Sequence, residues 1–126
     1  MYLITGIFSV VKYLNQFALA RRLVSWMITH LSFAIPTERL YETEKLIAFY
    51  HPKPSYLLHI IILPKKVFPS LMDLGEENMD LFSDVIKAVQ ILVRKCALEE
   101  SGYRLIVNGG KYQEVPQLHF HLVSDR

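Results

Sequence analysis

Gln117-Leu118-His119-Phe120-His121-Leu122-Val123 is the stretch whose reading decides the fold. In an extended strand, side chains at i and i+2 share a face. His119 and His121 are therefore expected side by side, with Leu118, Phe120 and Leu122 packed on the other face. Neighbouring imidazoles in an apolar strand suit phosphate chemistry, proton transfer or metal binding.

Outward from this stretch, the chain carries Gly102-Tyr103-Arg104-Leu105-Ile106-Val107-Asn108-Gly109-Gly110 and then Gln113-Glu114-Val115-Pro116. Further back stands Leu58-His59-Ile60-Ile61-Ile62-Leu63-Pro64-Lys65-Lys66, and before it the segment from Ile35-Pro36 through Phe49. In this order and spacing the segments resemble the histidine-triad (HIT) family, over residues 33–124. The family's signature alternates histidine and apolar residues, and here its first histidine position holds Gln117.

The resemblance implies an α+β fold: an antiparallel sheet of about five strands with one long helix packed on it. It also implies a homodimer whose sheets join. The activity implied is that of a hydrolase or transferase acting at the α-phosphate of a purine nucleotide phosphoramidate or nucleotidyl ester. By the resemblance, His119 attacks phosphorus and forms a nucleotidyl-histidine, which water then hydrolyses. His121 binds phosphate oxygens near the leaving group, and His59 supports the pair from beneath. Asn108, Gln113 and Gln117 hold phosphate or position groups around it. No cofactor and no nucleic-acid partner is implied.

The family pattern is departed from at three positions. Gln117 can donate or accept a hydrogen bond but cannot shuttle a proton near neutral pH. His51 stands where the family usually has an aspartate that binds ribose hydroxyls, and a neutral imidazole binds a diol more weakly. Glu114 stands where the family usually has a serine, and a carboxylate repels phosphate unless it points away or serves as an acid. These changes leave a second reading open: a nucleotide-binding module with weak catalysis. A third is a membrane-associated adaptor with the domain as scaffold. His59, His119 and His121 also have the composition of a catalytic zinc set. Asn108 and the glycine pair Gly109-Gly110, free to bring backbone N–H groups near an anion, favour phosphate instead, so no metal is assigned.

Hydropathy patterning supplies the rest of the fold. It predicts strands at Glu38–Tyr41, Leu46–Tyr50, Leu57–Leu63, Tyr103–Val107 and Leu118–Ser124. Glu76–Leu98 reads as one amphipathic helix, with Leu81, Phe82, Val85, Ile86, Val89, Leu92, Val93 and Cys96 on its apolar stripe. His51-Pro52-Lys53-Pro54-Ser55 reads as a loop, because proline removes ladder donors. Before Pro36, Tyr13, Phe17, Ala20, Val24, Met27 and Leu31 recur at helical spacing, with Arg21 and Arg22 opposite. The chain thus divides into an N-terminal amphipathic helical extension, 1–32, and a HIT-like domain, 33–126. The extension is read first as packing against the sheet or a second subunit. Peripheral contact with an anionic membrane is the weaker reading, since Arg21 and Arg22 are its only firm charges.

The composition fits one domain: 126 residues, 52% of them hydrophobic. Cys96 is the sole cysteine, so an internal disulfide framework and Cys-rich zinc sites are excluded, and a cytoplasmic setting is expected. Residues 1–36 hold Lys12, Arg21 and Arg22 and no acidic side chain, so the net charge of +2 originates in the extension. Residues 1–11 are apolar without a basic start, which does not suit a secretory signal.

Overall fold

The structure, a computed structural model, describes residues 38–125, and the sequence-predicted N-terminal helix lies outside them. Five strands form one antiparallel sheet: β1 (Arg39–Glu42), β2 (Leu46–Tyr50), β3 (Leu58–Pro64), β4 (Arg104–Val107) and β5 (Phe120–Ser124). Their spatial order is β1-β2-β3-β5-β4. The histidine-bearing β5 therefore lies between β3 and β4, away from either edge. The α+β architecture expected from the sequence, a five-stranded antiparallel sheet with one long helix, is the one found.

That helix is α1 (Met79–Lys95). Its Leu81, Val85, Ala88, Val89, Leu92 and Val93 are buried against Leu46, Ala48, Ile60, Ile62, Leu118, Phe120 and Leu122 of the sheet side. Each fully buried Leu or Ile contributes roughly 1.5–3 kcal/mol, so this layer holds the fold together. A second cluster, Ile47, Phe49 and Ile61 with Leu63, lies on the opposite face.

Strand registers place the site. Phe49 pairs with Ile61, Ile61 with His121, and His121 with Ile106. Paired residues share a face, so these side chains form one row across four strands on the face away from α1. His59 is next on β3, two residues from Ile61.

The helix boundaries differ from the predicted single run. Glu76–Asn78 forms a 3-10 turn before α1, closed by Asn78 Oδ1 accepting from the Gly75 N–H at 2.9 Å. After Lys95 the chain breaks at Ala97, whose φ is 54°, and resumes as α2 (Leu98–Ser101). The apolar stripe runs on to Leu98, which is fully buried, so hydropathy spacing carries no sign of the break. Strand β5 begins at Phe120 rather than Leu118. Leu118 is still buried on the expected side, but its N–H donates to Phe68 O at 2.7 Å instead of a neighbouring strand.

Candidate active site

Strands β3 and β5 and the loops at their ends bring His51, His59, Asn108, His119 and His121 to one pocket of about 310 Å³. Ser55, Tyr56, Ile106, Glu114 and Val115 complete its lining. A larger cleft of about 490 Å³ adjoins it across Tyr56, but it is lined by no histidine. The chemistry is therefore assigned to the smaller pocket.

Hydrogen bonds fix which ring nitrogen donates and which accepts in each histidine. Carbonyl oxygen only accepts, so His119 must donate from Nδ1 to Gln117 O, 2.8 Å away. Neutral His119 then carries its lone pair on Nε2. His59 accepts at Nδ1 from the Ser55 N–H at 3.1 Å. Its proton is therefore on Nε2, which donates to His121 Nδ1 at 2.8 Å. That leaves His121 with an Nε2–H. Two imidazoles with ring centres 4.8 Å apart thus have opposite polarity: a lone pair on His119 and a donor on His121. His51 accepts from the Lys53 N–H at 2.9 Å through its own Nδ1, which also leaves an Nε2–H.

The loop His51-Pro52-Lys53-Pro54-Ser55 is the source of this order. Pro52 and Pro54 have no N–H. The His51 N–H extends the β2–β3 pairing to His59 O at 2.8 Å. The remaining amides, of Lys53 and Ser55, both cap imidazole nitrogens.

The bonds at His51, His59 and His121 are compatible only with neutral rings there, since a protonated Nδ1 cannot accept an N–H. Burial lowers the pKa of His121 to about 4, assisted by positive charge on His119, His59 and His51. Burial is also the largest cause lowering His59, followed by charge on His51 and His119. His51 is lowered by burial and by His119, against an opposing pull from Glu114.

A pH dependence of stability follows. The unfolded chain protonates His121 near 6.5, whereas the folded chain resists until about 4. In that window the unfolded state binds more protons, so stability falls as pH falls. His51 and His59 act in the same direction. Urea midpoints are expected to decline steadily from pH 6.5 to pH 4, less steeply in His121→Gln. A flat profile over that range in the parent chain would contradict the neutral-ring assignment.

Gln113 and Gln117 do not join the lining. Gln113 donates from Nε2 to Pro69 O at 2.6 Å and Val115 O at 3.0 Å, tying the β4–β5 loop to the segment after β3. Gln117 is 1% exposed. Its Nε2 makes long contacts of 3.4 Å to Lys66 O and 3.3 Å to Leu118 O, and its Oε1 is buried without a partner. Gly109 and Gly110 also stand outside the lining. Gly110, at φ 58°, opens a 3-10 turn closed by the Tyr112 and Gln113 N–H groups. The Tyr112 and Gln113 amides are thereby occupied within the loop.

The sequence reading missed Ser55, Tyr56, Ile106 and Val115. Ile106 was recoverable, because it pairs with His121 across the β4–β5 ladder. Tyr56, edge-on to His59 with ring centres 5.4 Å apart, carried no signal beyond its place between two histidines.

A HIT domain model matches residues 32–126, and the chain belongs to that family. An uncharacterized HIT-like protein from Helicobacter pylori is 33% identical over 92 residues, covering 71% of this chain and 86% of its own. Among solved structures, a HIT family hydrolase from Legionella pneumophila superposes with a TM-score of 0.72 at 27% identity, covering 82% of this chain and 92% of its own. A histidine triad nucleotide-binding protein from Candida albicans gives 0.68 at 28% identity, covering 82% and 74%.

Proposed function

We propose that this chain is a nucleotide hydrolase or transferase acting at the α-phosphate of a purine nucleotide phosphoramidate or nucleotidyl ester. The observation that carries the reading is the opposed polarity of His119 and His121 in one pocket. The His119 Nε2 lone pair forms the bond to phosphorus, and the leaving group departs with its electron pair and takes a proton from solvent. The His121 Nε2–H donates toward the phosphoryl oxygens near the leaving atom. Water then releases the nucleotide from His119. The kinship with a hydrolase and with a nucleotide-binding protein supports both the reaction class and the ligand.

Gln117 is read as occupying the first place of the triad. The bond that orients His119 comes from the backbone carbonyl of residue 117, which any side chain leaves in place. Gln117→His is therefore expected to change kcat by less than about 10-fold, below the span ascribed to a working acid–base group. A gain of about 100-fold or more would mean that the missing imidazole limits the native chain.

Further parts of the reading concern assembly and setting. β4 lies at a sheet edge, with Tyr103 47% and Leu105 38% exposed, which suits pairing with a second copy into a homodimer. The free Cys96 suits the cytoplasm. Among the described residues, no helix is long and apolar enough to cross a membrane. The test of the function is turnover of a fluorogenic adenosine or guanosine phosphoramidate by the purified chain. Absence of turnover, with nucleotide binding detected by calorimetry, would favour the binding module.

A further inference from the structure

We propose that Glu114 is the base that takes the proton from water when the nucleotidyl-histidine is hydrolysed. The assignment rests on the hydrolase reading above and follows from the hydrogen-bond inventory of the pocket. Once His119 Nε2 is bonded to phosphorus, no imidazole lone pair in the pocket is open. His59 has Nδ1 occupied by the Ser55 N–H and Nε2 donating to His121. His121 and His51 each have Nδ1 occupied and carry their proton on Nε2. Ser55, Tyr56 and Asn108 offer oxygens that accept hydrogen bonds but are not bases near neutral pH. Glu114 is the carboxylate among the lining residues.

Its surroundings suit the task. Glu114 is exposed, so the proton can pass on to solvent. Its charge reaches across the pocket to His51. The loop that carries it is fixed on both sides, because Val115 O accepts from both Gln113 Nε2 and the Gln117 N–H, at 3.0 and 2.8 Å. Gln113 thereby acquires a positioning role that does not require contact with substrate.

The step balances. Water oxygen bonds to phosphorus, the bond from phosphorus to Nε2 breaks, and its electron pair returns to Nε2. One water proton goes to the Glu114 carboxylate and then to solvent. His119 keeps its Nδ1–H throughout and leaves as a neutral ring.

The test compares the parent chain with Glu114→Gln on a nucleoside phosphoramidate, with alkali-quenched samples read by mass spectrometry. The variant is expected to form the nucleotidyl-His119 adduct at an unchanged burst rate. Its hydrolytic kcat should fall about 100-fold, the lower range for general base catalysis, and the adduct should accumulate. Azide attacks as an anion and has no proton to lose. Adding it should restore turnover and yield the nucleotidyl azide. Unchanged kcat without adduct accumulation would overturn the assignment, as would a slow variant that azide does not rescue. A parent chain that forms no adduct would overturn the hydrolase reading and this assignment with it.

Discussion

Replacing His119 by alanine is expected to abolish turnover, lowering kcat by about 10⁴-fold or more, while the fold is retained. The magnitude follows from removing the atom that forms the bond to phosphorus, as when the nucleophile of a catalytic unit is deleted. The structural cost is small. His119 is only partly buried, and its ring makes a single hydrogen bond, to Gln117 O. The freed carbonyl lies beside an open pocket where water can replace the lost donor. Unfolding midpoints within a few degrees of the parent, together with loss of the nucleotidyl adduct, would establish His119 as the nucleophile. Full activity in the variant would sink the hydrolase reading.

The second large effect is expected at His121. His121→Ala should lower kcat/KM by about 10³-fold, the upper range for losing one donor to a developing oxyanion. The same change leaves His59 Nε2–H without its acceptor, and His59 is only 6% exposed. An orphaned buried donor costs about 1–3 kcal/mol, so stability should fall as well. His121→Gln separates the two effects. Its amide nitrogen supplies a donor, and part of the lost rate should return. A rate within 10-fold of the parent in His121→Ala would show that the ring's Nε2–H makes no contact that matters in the transition state.

Much of the fold was legible because its signals are local and periodic. The apolar run of β2 gave Leu46–Tyr50 without shift, and β3 moved by one residue at each end. The i, i+2 spacing of His119 and His121 put both in one pocket, with Phe120 and Leu122 buried on the other face. What stayed hidden depends on contacts distant in sequence or on single backbone angles. The left-handed conformation at Ala97 has no hydropathy signature, because alanine is a helix former and the stripe continues beyond it. The place of Gln113 is decided by Pro69 O, 44 positions away in the chain. The family resemblance suggested phosphate-holding or positioning roles for Gln113 and Gln117; the Gln113 side chain holds the backbone of Pro69 and Val115, and Gln117 is buried outside the pocket lining.

The loop between β2 and β3 has a consequence for how the site tolerates variation. From the Ser55 amide through His59 to His121, each hydrogen bond runs in one direction, so the series is a wire with a fixed polarity and one open end. Reversing any ring would set two donors or two lone pairs head to head. Residue 55 enters that wire through its amide alone. Within that wire serine has no special claim to the position, and any residue but proline keeps the current pointing into the pocket.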